Sequence, residues 1–251
     1  MHRFSGTNVV LTGGGSGIGR ATVQRLVTEG AAVYVVDRDG DGLAETAQGA
    51  LGSGRVVTEV VDVRDEAAVV AAVARAHQEL GSIDVLVNAA GVHRTTPIET
   101  LSVPDLRELF EINLVGTAVF CREVVPHLPE GAGVIVNVAS SSAAHGNPYM
   151  SAYSASKGAV LGFTLSLAAE LAGRGIRVVP VSPGQVDTPL TRAVGGDASL
   201  AGLDFSYFDR IRSPWGPATP DQLAGAIVFA ASRDAAYLTG VDLRVDGGSH
   251  I

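Results

Sequence analysis

Short apolar runs and longer amphipathic segments alternate along the whole chain. The apolar runs are rich in β-branched residues and cover 7–12, 32–36, 56–61, 83–88, 133–138, 176–181 and 241–245. Gly, Asp, Asn or Ser flanks each run, as is typical of strands. Segments with helical spacing lie between the runs, at 17–29, about 41–50, 66–80, 104–127, 153–173 and 221–232. This alternation predicts a doubly wound α/β fold, a parallel sheet of seven strands with helices on both faces.

The length and even composition of the chain indicate a single domain spanning residues 1–251. This length lies within the range of single α/β domains, and the sequence contains no internal repeat, low-complexity tract or linker-like change in composition. The one long stretch without clear periodicity is 184–220. Because such a segment in a compact domain is usually a binding loop, we expect 184–220 to be a lid over the substrate.

Composition and charge exclude several classes of function. Apolar residues make up 46% of the chain, but no uninterrupted apolar run approaches the roughly 20 residues of a membrane helix, and no secretory signal is apparent. The sequence therefore predicts a cytoplasmic protein without a membrane partner. A net charge of −8 without a basic run argues against nucleic acid as a partner. Cys121 is the single cysteine and no histidine–carboxylate cluster has metal-ligand spacing, so neither an internal disulfide nor a metal site is expected.

A glycine-rich turn follows the first predicted strand. Gly13, Gly17 and Gly19 lie where the chain passes into the first helix, so a pyrophosphate can approach the backbone and the helix N-terminus closely. Asp37, at the end of the second strand, can accept hydrogen bonds from both ribose hydroxyls and would repel a 2′-phosphate. Arg38 favours NADP instead, because an arginine at this position can bind the 2′-phosphate. With Asp37 present, the sequence favours NAD over NADP.

Tyr153 and Lys157 form a second candidate site. If a helix begins near Tyr153, the lysine lies one turn further along the same face. A phenol with a pKa of about 10 is a poor catalyst at neutral pH, but an adjacent ammonium stabilises the phenolate. This spacing also arises by chance, with the tyrosine packed on a solvated lysine. Lys157 is the only lysine among 18 cationic residues, however, so a need for a compact ammonium explains it better than surface charge does.

In their order and spacing, these motifs resemble the short-chain dehydrogenase/reductase family. The matching positions span roughly 7 to 248 and comprise Thr12-Gly13-x-x-x-Gly17-x-Gly19, Asn88-Ala89-Ala90-Gly91, Asn113, Ser140, Tyr153-x-x-x-Lys157 and Pro183-Gly184. The resemblance implies a Rossmann-type sheet with strand order 3-2-1-4-5-6-7. It also implies an NAD-dependent oxidoreductase that interconverts a secondary alcohol and a ketone, assembled as a homotetramer.

The resemblance implies catalytic roles for Asn113, Ser140, Tyr153 and Lys157. Tyr153 would be the general acid/base, and Ser140 would polarise the substrate oxygen. Lys157 would lower the pKa of the tyrosine and hold the nicotinamide ribose. Asn113 would bend its helix and help to relay protons from Lys157 to solvent.

The same resemblance implies a longer set of cofactor contacts. Asp62 and Val63 would contact adenine, the segment 88–91 would pack along the cofactor, and Val186 and Thr188 would fix the carboxamide. The full set expected to bind the cofactor is Gly13, Ser16, Gly17, Ile18, Gly19, Asp37, Arg38, Asp62, Val63, Asn88, Ala89, Gly91, Tyr153, Lys157, Pro183, Gly184, Val186 and Thr188.

The substrate would lie between the catalytic residues and the lid. Its expected contacts are His93, Ser140, His145, Met150, Tyr153, Phe205, Phe208 and Trp215. Aromatic residues in the lid suggest a bulky apolar or aromatic substrate, although docking of the lid on the core or on another subunit explains them equally well. His145 could bind a polar substrate group or be an ordinary loop histidine. Ser141 and Ser142 are alternative candidates for the hydroxyl that polarises the substrate oxygen. The spacing from Tyr153 favours Ser140.

The chain departs from the usual family pattern at two strand ends. Asn88-Ala89-Ala90-Gly91 stands for Asn-Asn-Ala-Gly, and Arg177-Val178-Val179 precedes Pro180 where Arg-Val-Asn is usual. Because Pro180 removes one hydrogen-bond donor, we expect a slightly altered sixth strand.

Several alternatives remain open at the level of the sequence. Hydroxysteroids, sugars and 3-oxoacyl groups are alternative substrates for the same chemistry. A non-enzymatic NAD-responsive regulator is the alternative from another class, although it would have little reason to keep the whole catalytic set. An epimerase or dehydratase of a related extended family would need a larger C-terminal domain than the residues after Thr188 provide.

Overall fold

In the computed structural model, the chain is described for residues 2–195 and 202–250, excluding the side chains of 193–195 and 210. Its strands are β1 (Asn8–Thr12), β2 (Ala32–Asp37), β3 (Arg55–Val60), β4 (Val85–Asn88), β5 (Val134–Val138), β6 (Arg177–Pro183) and β7 (Leu243–Val245). Its α-helices are α1 (Gly17–Thr28), α2 (Gly40–Gly49), α3 (Glu66–Leu80), α4 (Val103–Phe110), α5 (Gly116–Val124), α6 (Ser151–Leu171), α7 (Pro189–Gly195) and α8 (Pro220–Ala231).

The seven strands form one parallel sheet in the order β3-β2-β1-β4-β5-β6-β7. This arrangement confirms the predicted fold class and strand order. From β1 the chain winds outward to β3, and then crosses back to place β4 on the other side of β1. Ligands of such sheets bind beyond the carboxyl ends of the strands, at the point where the winding reverses.

Helices cover both faces of the sheet because successive strand residues point to opposite sides. On one face, Val9 and Leu11 of β1 belong to a core cluster with residues of α1 and α8. On the other face, Val10 belongs to a second cluster with residues of α3, α5 and α6. All three side chains are at most 1% exposed, and burial of an aliphatic side chain of this size contributes about 1.5–3 kcal/mol. The strand ends are therefore held on a rigid platform.

The helix predicted over 104–127 is interrupted. A π-helical turn, Glu111–Val115, separates α4 from α5 and contains Asn113. Single π-helical turns inside α-helices are frequent at functional sites. The irregularity lies where the family resemblance implied a bent helix.

Pro180 leaves β6 continuous from Arg177 to Pro183. The Arg177 N–H donates to Gly133 and the Val181 carbonyl accepts from Ala139, so odd-numbered residues of β6 face β5. Pro180 therefore faces the β7 side, where pairing begins one residue later, at Val181. The missing donor costs the sheet little, and the expected alteration of this strand is absent from the residues described.

The lid segment (184–220) is more regular than its sequence suggested. It contains α7 and a 3-10 helix, Phe205–Arg210, while residues 196–201 lie outside the described part of the chain. Within the described residues, every helix falls short of the length or hydrophobicity that a bilayer crossing requires.

Candidate active site

The glycine turn after β1 forms the floor of a cavity of about 370 Å³ at the carboxyl edge of the sheet. Gly13 has a φ of +76°, and a Cβ there would lie 2.5 Å from the backbone nitrogen of Ala90. A Cβ on Gly19 would lie 2.0 Å from the carbonyl oxygen of Gly13. The Ser16 side chain forms no capping hydrogen bond to α1 among the described residues. The N–H groups of the first helical turn thus stay available to an anion.

Asp37 is held at the rim of this cavity by backbone N–H groups. Its Oδ2 accepts from Gly15 at 2.9 Å, and its Oδ1 accepts from Asp39 at 3.0 Å. Each carboxylate oxygen retains a further lone pair for a ribose hydroxyl. Arg38 lines the same cavity. These features together fit a dinucleotide. They are a glycine turn with no room for side chains, a helix N-terminus without a side-chain cap, and a carboxylate held at the rim.

Asp62 and Val63 line the end of the cavity beyond β3. The Arg64 guanidinium binds both oxygens of Asp62 and holds the pKa of that carboxyl below its ordinary value. Val63 packs on Gly116, where an added Cβ would lie 2.8 Å from the Val63 side chain. Both residues are positioned to contact a ring system at this end.

Asn113 joins the helical π turn to the segment that follows β4. Its Oδ1 accepts from the Val92 N–H at 2.8 Å, and its Nδ2 donates to the Val92 carbonyl at 3.1 Å and to Ser156 Oγ at 3.0 Å. A Cβ on Gly91 would lie 3.1 Å from Asn113 Oδ1 and 3.3 Å from Lys157 Nζ. The amide therefore fixes the backbone beside the lysine, with Gly91 leaving space between them.

Tyr153 and Lys157 lie on α6, one turn apart as predicted. Lys157 is 6% exposed, and its Nζ donates to the Val138 carbonyl at 2.8 Å. Burial lowers the pKa of Lys157 to about 8. Burial also raises the pKa of Tyr153, against a smaller opposing effect of a hydrogen bond with Ser140. In the protein alone, the pKa of Tyr153 thus shifts in the direction opposite to the one the resemblance implied.

Of the three serines considered, Ser140 is the one whose side chain lowers the pKa of the Tyr153 phenol. Its Oγ lies 2.6 Å from Ser142 Oγ and accepts from the Ser142 N–H at 3.2 Å. Ser141 and Ser142 line the same cavity as Ser140, so they contribute to its wall.

A second cavity, of about 300 Å³, lies against Tyr153. Of the expected substrate contacts, His93, Ser140, Met150, Tyr153, Phe205 and Phe208 line it. Phe205 and Phe208 stack on each other with their ring centroids 5.9 Å apart. His93 packs edge-on against Tyr153 with a centroid distance of 4.5 Å. The cavity therefore combines an aromatic wall with polar groups near the phenol.

Two expected substrate contacts do not line the cavity. Trp215 is 86% exposed, because the chain there turns outward beside the Gly247 backbone. His145 stacks on His250 with a centroid distance of 4.7 Å and hydrogen-bonds Arg244. His250 lines the cavity and His145 lies behind it. Both side chains lie outside the described lining of this cavity, and their contact with a substrate stays a prediction.

Twelve of the eighteen expected cofactor residues line the first cavity. Tyr153 lines the second cavity and Lys157 lies beside Gly91, and the other four lie elsewhere. Asn88 is buried and donates to Asn137 Oδ1 at 2.9 Å in the interior. Pro183 closes β6, and Val186 is buried in a bridge with Ala218. Gly184 lines the second cavity instead of the first.

The sequence motifs did not indicate several residues that line the two cavities. Those of the second cavity are Thr95, Asn147, Gln185, Thr191, Ile211, Arg212, Ser249 and His250. Those of the first include Asp39, Val61, Val92, Ile112 and Pro189. Val92 and Pro189 directly follow recognised motif positions, so proximity to a motif could have indicated them. Ser249 and His250 reach the site because the chain folds back after β7.

Comparison with known proteins identifies the family. The family model for short chain dehydrogenases matches residues 7–198. A 2-dehydro-3-deoxy-L-rhamnonate dehydrogenase (NAD(+)) from Sphingomonas sp. is 38% identical over 251 residues, covering 98% of this chain and 96% of the relative. A D-threitol dehydrogenase from Mycolicibacterium smegmatis is 40% identical over 253 residues, covering 98% and 94%.

A solved structure agrees with these relatives. A short-chain dehydrogenase from Burkholderia cenocepacia J2315 in complex with NADP superposes with a TM-score of 0.89 at 31% identity, covering 99% of this chain and 100% of that one. The chain thus belongs to the short-chain dehydrogenase/reductase family and is an oxidoreductase that acts on CH–OH groups with a nicotinamide cofactor.

Proposed function

We propose that the protein is an NAD-dependent dehydrogenase that interconverts a secondary alcohol and its ketone, with Tyr153 as the general acid/base. The observation that carries the proposal is that Tyr153 and Ser140 line one cavity of substrate size, with Lys157 one helical turn further along α6. The bound nicotinamide would accept the hydride from the carbinol carbon in the oxidative direction.

NAD is preferred in this proposal because of Asp37. Its carboxylate is held at the cavity rim by two backbone N–H groups and would meet a 2′-phosphate with a negative charge. Arg38 lines the same rim and favours the phosphate, so the preference depends on the charge of Asp37. Similar proteins differ in their cofactor. The Sphingomonas relative is named as an NAD(+) enzyme, and the Burkholderia structure is a complex with NADP.

Each catalytic residue has a defined task in the proposed reaction. Ser140 and Tyr153 bind the alcohol oxygen, and Tyr153 accepts its proton. Lys157 holds the nicotinamide ribose and stabilises the phenolate, which burial alone disfavours. Asn113 keeps the Val92 backbone and Lys157 in register, and helps to relay the proton toward solvent.

The substrate body is apolar or aromatic in this proposal. Phe205, Phe208 and Ile211 line the cavity, and Met150 adds a polarisable side chain beside His93. Such a wall stabilises a carbon skeleton by burial of apolar surface. The lid segment would close over this wall. A homotetramer is the assembly that the family resemblance implies, and sedimentation velocity would test it. The proposed location is the cytoplasm, as expected from the lack of an apparent secretory signal.

Replacement of Tyr153 by phenylalanine tests the function. We expect Tyr153→Phe to reduce turnover of secondary alcohols by at least about 10³-fold, because general acid/base catalysis contributes about 10²–10⁴-fold and the hydrogen bond to the substrate is also lost. Turnover is followed by formation of NADH, and NADH binding by its fluorescence. Retained binding with lost turnover is the expected result, whereas near-normal turnover removes the central claim. Tyr207→Phe, an exposed tyrosine of the lid, is the matched control.

A further inference from the structure

Three residues that line the substrate cavity each carry a buried polar atom without a hydrogen-bond partner among the described residues. These atoms are Nδ1 of His93, Oγ1 of Thr95 and Oδ1 of Asn147. Buried polar groups in proteins are nearly always paired, because leaving one unpaired costs about 1–3 kcal/mol. Three such atoms on one cavity indicate a site that a ligand completes.

Met150 determines the hydrogen-bonding character of two of these atoms. Its sulfur lies 3.4 Å from His93 Nε2 and 3.7 Å from Asn147 Nδ2. A thioether sulfur can only accept, so His93 carries its proton on Nε2 and the Asn147 amide directs its NH₂ group to the sulfur. His93 Nδ1 and Asn147 Oδ1 are then both acceptors. Burial, reinforced by the charge of Lys157, lowers the pKa of His93 to about 4, which keeps the ring neutral at physiological pH.

A hydroxyl group is the chemical complement of this arrangement. It can donate to an acceptor, either His93 Nδ1 or Asn147 Oδ1, and can also accept from or donate to the Thr95 hydroxyl. An ether or a carbonyl oxygen cannot donate, and a carboxylate would face two acceptors. His93 also packs against Tyr153, so a group that it binds lies within reach of the same molecule as the reacting oxygen.

We propose that His93, Thr95 and Asn147 bind a second hydroxyl of the substrate, so that the preferred substrates are diols or hydroxy ketones rather than simple alcohols. The proposal rests on the proposed dehydrogenase function and names its substrate class. Phe205, Phe208 and Ile211 line the cavity as well and pack the carbon skeleton, while the second hydroxyl sets its orientation.

Matched alcohols test the proposal by kinetics. The probes are cyclohexanol, the 1,2-, 1,3- and 1,4-cyclohexanediols and their monomethyl ethers, each oxidised with NAD⁺. We expect at least one diol to exceed both cyclohexanol and its own monomethyl ether in kcat/KM by about tenfold or more, the effect of one satisfied buried hydrogen bond. Equal kcat/KM for diols, ethers and cyclohexanol overturns the proposal. Absence of turnover with every probe counts against the proposed function instead.

A pair of isosteric variants assigns the preference to the site. Thr95→Val removes the hydroxyl that lines the cavity, and should lower the ratio of diol to monoalcohol kcat/KM severalfold. Thr96→Val is the control, since its hydroxyl is also buried without a partner among the described residues but does not line the cavity. The ratio should be unchanged in Thr96→Val. Equal ratios in the two variants would place the preference elsewhere.

Imidazole NMR tests the site independently of turnover. In ¹⁵N-histidine-labelled protein, with His93→Asn used to assign the resonance, Nε2 of His93 should be protonated and Nδ1 should not. Adding the diols should shift the Nδ1 resonance, and the monomethyl ethers should shift it less. A protonated Nδ1, or an Nδ1 resonance that none of the diols shifts, overturns the proposal whatever the kinetics show.

Discussion

Replacing Lys157 by methionine should stabilise the cofactor-free protein while removing its activity. The lysine is 6% exposed, and burial lowers its pKa from the ordinary 10.5 to about 8. Each factor of ten in an ionisation constant is worth about 1.4 kcal/mol, so burying the charged form costs on the order of 3 kcal/mol at pH 7. Methionine has a similar length but loses the hydrogen bond to the Val138 carbonyl, which costs about 1 kcal/mol. A net gain of about 2 kcal/mol is expected.

The gain should depend on pH with a defined sign. Because the pKa of Lys157 is lower in the folded protein than in the unfolded chain, the folded state binds fewer protons between about pH 8 and pH 10.5. The wild-type protein therefore gains stability relative to the variant as the pH rises through this window. The advantage of Lys157→Met should be full below about pH 8 and absent near pH 10.5.

Urea unfolding followed by far-UV circular dichroism measures this effect. The free energies of unfolding of wild type and Lys157→Met are compared at about pH 7 and pH 10, where other titrating groups cancel in the difference. Arg107→Met, an exposed cation of α4, is the control, and its difference from wild type should not change between the two pH values. A variant less stable than wild type at neutral pH, or a difference independent of pH, would refute this account of the buried charge.

Three further predictions follow from individual contacts. Asp37→Asn should raise the kcat/KM of NADP relative to NAD by about tenfold or more, since the carboxylate no longer repels a 2′-phosphate; Asp41→Asn, on α2, should leave the ratio unchanged. Cys121, whose pKa burial raises to about 12, should react with a thiol reagent only when urea unfolds the protein, and fast labelling of the native protein would contradict its burial. Gly13→Ala should lower the free energy of unfolding by about 1–3 kcal/mol and weaken NADH binding, because a Cβ would lie 2.5 Å from backbone at a φ of +76°. Gly146→Ala, where a Cβ meets nothing within 4 Å, should change neither quantity. Equal effects of Gly13→Ala and Gly146→Ala would contradict the conclusion that the turn at Gly13 has no room for a side chain.

Hydrophobic periodicity was sufficient to predict the strands, because both faces of a parallel sheet are buried and its strands read as continuous apolar runs. Even so, the strand within the run 83–88 covers Val85–Asn88 alone, and the Asp84 carboxylate just before it accepts from the Asn8 N–H at the start of β1. The interruption at Glu111–Val115 could not be read from local propensity. It accompanies a contact between Asn113 and Val92, which lie 21 residues apart.

The candidate site was predictable where it depends on short-range spacing and unpredictable where it depends on how distant segments meet. Tyr153 and Lys157 occupy one helix, so their separation follows from helical geometry. Composition indicated an aromatic lid, but it could not distinguish Phe208, which lines the cavity, from Trp215, which faces solvent. His250 reaches the cavity from the end of the described chain, and no local pattern signals that return.

The pairing of Asn113 with Val92 has an evolutionary consequence. An amide side chain presents a donor and an acceptor side by side, and so Asn113 pairs with both backbone polar groups of one residue, the N–H and the carbonyl of Val92. The residues between Val92 and Asn113 form a segment, including α4, that this pair closes at its base. Insertions and substitutions within that segment can reshape the wall around His93 and Thr95 without displacing Lys157. Substrate preference can therefore diverge in descendants of this chain while the chemistry is inherited unchanged.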